Sequence, residues 1–175
     1  MNPTKTIFFS GGGTAGSVMP LLAVAAYWRR QDNQGKYRFV WIGTKDGVEK
    51  DMVGQDFIYH SISWGKLRRY FSWKNFIDPF YILKGFLQSW LLLRQYQPDL
   101  VITAGSFVSV PLAWAAKLRG VPVSIHQQDI RPGLANKLML PAARLVTVAL
   151  EGSLKDFTYK ALWSGNPVRQ AVRDI

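Results

Sequence analysis

A glycine-rich segment near the start of the chain, residues 10–17 (SGGGTAGS), has the residue types that bind an anion. It follows a β-branched and aromatic stretch at residues 6–9 and leads into an apolar helical pattern at residues 21–28. This order predicts a strand, a glycine turn and a helix. Glycine lets a turn approach a phosphate closely, and the helix N-terminus adds free N–H groups and its dipole. The predicted diphosphate site comprises Gly12, Gly13, Thr14, Ala15, Gly16 and Ser17.

The same segment fits the dinucleotide-binding fingerprint, with glycines at positions 11, 13 and 16. That fingerprint requires an acidic residue near the end of the next strand, where the carboxylate binds the ribose. The next predicted strand, residues 37–42, is followed by Gly43 and Thr44, and Asp46 lies beyond the turn. The tip therefore lacks the carboxylate, and no cofactor is expected. A nucleotide-cofactor-binding Rossmann domain and a purely structural turn stay open as alternatives.

Length and composition exclude several classes of protein. A chain of 175 residues suits one α/β domain with its own core. It has no cysteine and two histidines, which excludes disulfides and thiolate metal sites, and we expect no metal site. Residues 1–5 lead directly into the first strand, so no signal peptide is expected. Charged residues interrupt the most apolar stretch, residues 76–93, so no membrane span is expected.

The formal net charge of +11 attracts nucleic acid, anionic lipid or phosphorylated ligands. One segment combines cations with large aromatic rings, as binding at a membrane interface requires. Its residues are Trp64, Lys66, Arg68, Arg69, Tyr70, Phe71, Trp73, Lys74 and Phe76. We expect this segment to dock on an anionic membrane surface. A platform for single-stranded nucleic acid would use the same residue types, but no RNA-binding motif accompanies them, so nucleic acid is not expected as a partner.

An apolar helix is predicted directly after this segment, at residues 79–96. Asp78 and Pro79 are typical of an N-cap and a first helical position. Eight large apolar side chains occupy about half of the helix circumference, and we expect most of them to be core. They are Phe80, Ile82, Leu83, Phe86, Leu87, Trp90, Leu91 and Leu93.

Strand-like and helix-like segments alternate along the whole chain. Strands are predicted near residues 5–9, 37–42, 57–62, 99–103, 122–126, 144–149 and 160–163. Helices are predicted near residues 17–31, 46–53, 79–96, 108–119 and 132–140, and Gly120 is typical of a helix end. The alternation predicts an α/β fold, a Rossmann-like parallel sheet with helices on both faces.

Three further segments follow predicted strands, at the edge where open α/β sheets bind ligands. They are residues 103–111, 125–129 and 164–169. Each has a structural explanation when taken singly: Gly105 could simply turn the chain, and a strand-end histidine such as His126 is more often structural than catalytic. Together with the glycine segment, they place several groups capable of ligand binding along one edge.

Five ordered motifs resemble the amino-terminal half of the peptidoglycan-synthesising transferases of glycosyltransferase family 28. The motifs are Gly12-Gly13-Thr14-Ala15-Gly16, Trp41-Ile42-Gly43-Thr44, Gly105-Ser106-Phe107-Val108-Ser109, His126-Gln127-Gln128 and Gly165-Asn166-Pro167-Val168-Arg169. The resemblance covers essentially the whole chain. It implies the acceptor half of a two-domain GT-B enzyme. Such enzymes transfer N-acetylglucosamine from UDP-N-acetylglucosamine, with inversion, to the undecaprenyl-diphosphate-linked muramyl peptide lipid I, which gives lipid II.

The resemblance also implies residue roles. Beyond the glycine segment, it implies acceptor contacts at Gly105, Ser106, Phe107, Gln127, Gln128, Asn166 and Arg169. The chain departs from the family pattern in three places. In the glycine segment, Ala15 and Ser17 replace the usual glycine and histidine. Ser106 and Phe107 replace the usual glycine and tyrosine, and Gln127 and Asp129 replace the usual glutamate and asparagine. Serine cannot act as a base near neutral pH. The candidate catalytic base is therefore His126, with the nearby carboxylate of Asp129 as the alternative.

The domain organisation that the resemblance implies is an acceptor-binding domain at residues 1–165 and the start of an interdomain linker at residues 166–175. The UDP-N-acetylglucosamine contacts of such enzymes lie in a donor domain, which we expect to be missing from these residues. The implied location is peripheral, on the cytoplasmic side of the bacterial inner membrane. An alternative is a non-catalytic acceptor subunit of a two-chain N-acetylglucosaminyltransferase, which recruits its donor-side partner to the membrane.

Overall fold

Seven parallel strands form one sheet in the computed structural model, which describes residues 5–32, 35–65, 74–157 and 161–169, with the backbone alone at 74–77. The strands are β1 (Lys5–Ser10), β2 (Tyr37–Gly43), β3 (Ile58–Ser61), β4 (Leu100–Thr103), β5 (Val123–Gln127), β6 (Leu145–Val148) and β7 (Ala161–Trp163). Their spatial order is β3-β2-β1-β4-β5-β6-β7, and every adjacent pair is parallel. The predicted fold class is therefore confirmed.

The helices described between these strands are α1 (Met19–Gln31), α2 (Glu49–Val53), α3 (Lys74–Tyr96), α4 (Ser109–Leu118) and α5 (Leu134–Met139). A 3₁₀ turn at Ala15–Ser17 precedes α1. Gly120 has φ +73°, and the N–H groups of Gly120 and Val121 donate to carbonyls in the last turn of α4. This ending confirms the role predicted for Gly120.

Alternate side chains of the strands build two cores, one on each face of the sheet. Phe8 faces a core completed by α3 and α4. Phe9 faces the opposite core, which α1 covers, and its ring stacks on Trp41 of β2. Because the central strands are buried on both faces, they read as continuous apolar runs, as parallel strands do.

The register of the sheet brings the carboxyl ends of the central strands level with each other. Ser10 at the end of β1 pairs with Ile42 of β2 and with Thr103 at the end of β4. Thr103 in turn pairs with Ile125 of β5. The loops after β1, β4 and β5 therefore leave the sheet side by side.

The predicted start of α3 is wrong, because the helix begins at Lys74 and Pro79 lies inside it. Proline favours the first turn because it has no N–H group to donate. In the second turn it removes one hydrogen bond, and α3 tolerates this loss within a helix of 23 residues. None of the described helices has the length and hydropathy required to cross a membrane.

The prediction that the apolar residues of α3 are mostly core is also wrong. Phe80, Leu83, Leu87 and Leu91 are exposed, and of the eight only Leu93 is fully buried. On the side that faces the protein, Leu93 is buried in the core and Phe86 and Trp90 pack against it, beside two small residues. A methyl group at Gly85 would overlap the carbonyl oxygen of Ser63, and Ser89 is fully buried. Small side chains at these two positions let the helix approach its neighbours closely, and half of the eight large apolar side chains remain on the outside.

Candidate functional site

The loops after β1, β4 and β5 and the start of α5 enclose an open cavity of about 330 Å³. Most of its wall is backbone and short polar side chains. The lining residues are Thr14, Gly16, Ser17, Ala104, Gly105, Ser106, Gln128, Asp129, Gly133, Ala135 and Asn136. Seven of these eleven were candidate site residues on sequence grounds, so separate strand-end motifs do meet at one place.

Hydrogen bonds within the protein hold the loop after β1, residues 11–17, which we call the glycine loop. The N–H of Gly12 donates to Oγ of Ser17 at 3.1 Å, and that hydroxyl lies 3.3 Å from the carbonyl oxygens of Gly12 and Thr14. The N–H of Gly13 donates to a carboxylate oxygen of Glu49 at 3.0 Å. Two of the amides predicted to bind an anion are therefore already paired inside the protein. Residues 13–16 are the exposed part of the loop, and of these Thr14 and Gly16 line the cavity, together with the buried Ser17.

The loop after β4 has an unusual backbone. Gly105 and Ser106 both have positive φ, +98° and +90°. For a serine this conformation costs of order 1–3 kcal/mol and persists where the surroundings enforce it. Thr103 and Ser109 do so here, because their hydroxyls donate to the carbonyl of Gly105 at 3.2 Å. The strained turn directs residues 105–106 toward the cavity, whereas Phe107 is half-buried outside its lining.

Gln127 organises the loop after β5 from behind the cavity wall. Its side chain is buried, and Nε2 donates to the carbonyls of Asp129 and Arg131 at 2.7 and 3.1 Å. Because Nε2 is committed to two carbonyls, Oε1 must act as the acceptor. It accepts the Nδ2 group of Asn136 at 2.5 Å. Gln127 thus shapes the loop, and its neighbour Gln128 contributes directly to the lining.

Asn136 on α5 is a cavity residue that the sequence motifs missed. Since its Nδ2 must donate to Gln127, its Oδ1 is free to accept, and this atom is buried without a hydrogen-bond partner among the described residues. It lies beside Gly105, where it is 3.3 Å from the position that a Cβ would take. A buried acceptor without a donor carries a desolvation penalty of about 1–3 kcal/mol. A ligand N–H or O–H in the cavity would remove that penalty. The only sequence signal is a polar residue near the start of a helix that follows a strand-end loop.

His126 lies behind the wall rather than in the lining. Only 5% of the residue is exposed. Nδ1 lies 2.9 Å from Oγ1 of Thr147, and Nε2 lies 3.2 Å from Oδ1 of Asn166. Because Oδ1 only accepts, Nε2 carries the proton and Nδ1 accepts from the threonine hydroxyl. Burial lowers the pKa of His126, and the hydrogen bond to Asn166 opposes that shift in part. The ring is therefore neutral at pH 7, with both nitrogens engaged.

A family model matches the part of the chain that builds this cavity. The N-terminal domain of glycosyltransferase family 28 matches residues 7–148, from β1 through β6. The chain belongs to glycosyltransferase family 28.

Curated relatives are similar over nearly the whole chain. A protein of Clostridium kluyveri is 42% identical over 172 residues, which are 97% of this chain and 48% of that protein. A protein of Oceanobacillus iheyensis is 43% identical over 182 aligned positions, covering 100% of this chain and 50% of that protein. Both are named UDP-N-acetylglucosamine–N-acetylmuramyl-(pentapeptide) pyrophosphoryl-undecaprenol N-acetylglucosamine transferase. The chain thus spans about half the length of these relatives.

The crystal structure of Acinetobacter baumannii MurG has a similar fold. It superimposes with a TM-score of 0.75 at 28% identity, and the match covers 96% of this chain and 47% of that one. The shared fold supports the strand order and loop positions described above.

Two residues of the last family 28 motif lie away from the cavity. Asn166 is exposed and contacts His126, and together with residues of α1 it lines a separate groove. Arg169 lines another groove, beside Arg29 and Asp56. The acceptor contacts implied at Asn166 and Arg169 are therefore not among the residues that line the cavity.

The aromatic and basic segment lies largely outside the described residues. Residues 66–73 fall outside them, and for Lys74 and Phe76 only the backbone is described. Trp64 is 39% exposed and lines a second cavity, of about 720 Å³, together with Gly13 and Lys84. Trp64 therefore lies near both the glycine loop and α3.

The outer face of α3 is an apolar stripe that continues from this region. Successive helical residues turn by about 100°, so Phe80, Leu83, Leu87 and Leu91 fall within a narrow arc. They are 73%, 58%, 55% and 62% exposed. The exposed cations Lys84 and Arg94 lie in the same arc. We refer to these six residues as the α3 stripe.

Proposed function

We propose that this chain is the acceptor-binding half of a family 28 N-acetylglucosaminyltransferase, and that its cavity binds the diphosphate and muramyl sugar of lipid I. The observation that carries the proposal is the buried, unpartnered Oδ1 of Asn136, a residue that lines a cavity walled by backbone and short polar side chains. Such an acceptor suits a sugar hydroxyl or an acetamido N–H. The reaction that the names of the relatives describe supports this substrate class.

The proposed reaction is an inverting displacement. A hydroxyl oxygen of the acceptor sugar attacks the anomeric carbon of UDP-N-acetylglucosamine, the bond from that carbon to the UDP oxygen breaks, and a base accepts the hydroxyl proton. Asp129 is exposed in the lining of the cavity, whereas both nitrogens of His126 are engaged behind it. We therefore assign the base to Asp129 and a supporting role to His126.

The donor is assigned to a second half. The relatives are about twice as long as this chain, which leaves room in them for a second domain. UDP-N-acetylglucosamine would bind outside residues 1–175, and a rate enhancement requires both reactants to be held in line.

We further propose that the α3 stripe docks the protein on the cytoplasmic side of the bacterial inner membrane. Its four large apolar side chains are exposed next to two cations, and this combination suits the interface of an anionic leaflet. Docking there would bring the glycine loop close to a lipid-linked acceptor, because Lys84 of the stripe and Gly13 line one cavity.

Calorimetric titration of the chain with a soluble short-chain lipid I analogue tests the acceptor site. Asn136→Ala removes the free acceptor atom, and we expect affinity to fall about 5- to 150-fold, as for a lost hydrogen bond of 1–3 kcal/mol. Gln55→Ala, at an exposed amide before β3, is the matched control and should bind normally. If the folded wild-type chain binds NAD but not the analogue, the dinucleotide alternative replaces this proposal.

A further inference from the structure

A buried carboxylate joins the glycine loop to the turn after β2. Glu49, the first residue of α2, has no exposed surface. Its Oε1 accepts the backbone N–H and the hydroxyl of Thr44, both at 2.6 Å, and its Oε2 accepts the N–H of Gly13 at 3.0 Å. Tyr59 of β3 supports the turn, since its hydroxyl donates to the carbonyl of Thr44 at 2.6 Å. One side chain therefore ties together the loops of two neighbouring strands.

The glycines around Glu49 provide the space for this carboxylate. A methyl group at Gly12 or at Gly47 would overlap one of its oxygens. A methyl group at Gly43 would lie 3.0 Å from its Cγ. Gly13 differs, because the space around its Cα is open and its φ of +80° is what requires glycine. Part of the glycine pattern that resembles a phosphate-binding loop thus accommodates an internal side chain.

Glu49 is ionised, and hydrogen bonds balance its charge. Burial by itself would raise its pKa, but the hydrogen bonds from Thr44, from its own amide and from Gly13 outweigh burial and lower the pKa below the usual value. Among the described residues it forms no ion pair with a lysine or arginine. Backbone N–H and hydroxyl donors surround it as they would surround a bound anion.

We propose that Glu49 acts as an internal anion that positions the glycine loop: it occupies the Gly13 amide, fixes the position of Thr14 where the cavity lining begins, and thereby directs the acceptor diphosphate to the Thr14–Ser17 side of the loop. This inference rests on the proposed function, because it assumes that a diphosphate binds at the cavity. Glu49 itself does not line the cavity, so it is a positioning residue.

The test compares Glu49→Gln with wild type in the 175-residue chain. An amide offers one acceptor atom where the carboxylate offers two, so Gln cannot serve both Thr44 and Gly13. We expect the Gly13 amide resonance to move upfield in nitrogen–proton correlation spectra. We also expect the affinity for the soluble lipid I analogue to fall at least about tenfold, as for loss of a charge-assisted hydrogen bond. The matched control is Glu151→Gln at the other glutamate of the chain, which is exposed, and it should leave both readouts unchanged.

Rescue by formate separates positioning from simple filling of space. Glu49→Ala leaves the donors of Thr44 and Gly13 without a partner, and formate can replace the lost carboxylate. Formate should restore both the Gly13 resonance and the affinity in Glu49→Ala, and chloride should not. If Glu49→Ala does not fold, Thr44→Val provides the second variant: it removes one donor to Glu49, and a smaller change of the same sign is expected in both readouts.

Two outcomes would overturn the inference. One is a folded Glu49→Gln chain whose affinity stays within twofold of wild type although the Gly13 resonance has moved. The other is a Gly13 resonance that does not respond to Glu49→Gln at all. If the wild-type chain fails to bind the analogue, the proposed function is wrong, whereas the Gly13 resonance and its rescue by formate still decide whether Glu49 orders the loop.

Discussion

Removing two large side chains from the α3 stripe should release the protein from anionic membranes. The double variant Phe80→Ser and Leu87→Ser changes residues that are 73% and 55% exposed, so the fold loses little buried surface. Their exposed parts add up to slightly more than one complete side chain. Full burial of such a side chain is worth about 1.5–3 kcal/mol, so insertion of both into the interface contributes about 2–4 kcal/mol. The partition coefficient should fall at least about 30-fold, at about 1.4 kcal/mol per tenfold.

Co-sedimentation with vesicles measures this effect. Vesicles of phosphatidylglycerol and phosphatidylethanolamine are compared with vesicles of phosphatidylcholine alone, at low and at high salt. Wild type should bind more with anionic lipid and less with salt, since each cation near the leaflet contributes about 1 kcal/mol that salt screens. The control variant Leu150→Ser with Leu162→Ser removes two leucines that are 47% and 60% exposed elsewhere on the surface. Equal loss of binding in both double variants, or none in either, would show that the α3 stripe is not the docking face.

The remaining predictions concern catalysis, the glycine loop and pH. In a chain joined to the donor half of a family 28 relative, Asp129→Asn should lower turnover by about 10²–10⁴, the usual contribution of a general base; a larger loss in His126→Gln would reverse the assignment. Residues 1–175 alone should transfer no labelled N-acetylglucosamine to the lipid I analogue, and steady turnover would place the donor site within them. Gly13 faces open space but has φ +80°, so Gly13→Ala should lower the free energy of unfolding in denaturant by about 1–2 kcal/mol. Gly12→Ala should lower it more, because the added methyl group would overlap the buried Glu49. The reverse order would refute the packing around Glu49. Burial lowers the pKa of both His60 and His126, so at acidic pH the unfolded chain binds more protons than the folded chain. Stability should therefore fall as the pH drops below about 6.5, by up to about 1.4 kcal/mol per pH unit for each histidine, and His126→Gln should flatten that slope in thermal unfolding between pH 7 and 5.

Local patterns in the sequence determined most of the architecture. Short β-branched and apolar runs alternate with helical ones, and this alternation is sufficient to predict a parallel sheet, because each strand then needs a crossover to reach the next. Such sheets bind ligands at the carboxyl ends of their strands, so the strand order along the chain is enough to predict that Thr14, Ser17, Gly105 and Asp129 share one edge. The cavity that these residues line confirms that prediction.

Tertiary packing decided the features that sequence patterns could not predict. Gly85 and Ser89 occupy the inner face of α3, where neighbouring residues approach the helix closely. Which residues lie opposite a helix cannot be inferred from the positions of its apolar residues along the chain. His126 was expected at the site, but its hydrogen bonds with Thr147 of β6 and with Asn166 after β7 hold it behind the wall.

The pattern of glycines along the chain could not distinguish a loop that binds an external anion from one that surrounds a buried carboxylate of the same chain. Glu49 lies 36 positions from Gly13 along the chain, and the free oxygen of Asn136 exists only because Gln127 is committed to two carbonyls. Both facts depend on which donors and acceptors meet in space. The sequence determined which elements form and which ends face the ligand, whereas only the tertiary structure decided which polar groups at that edge are already paired and which remain free to bind.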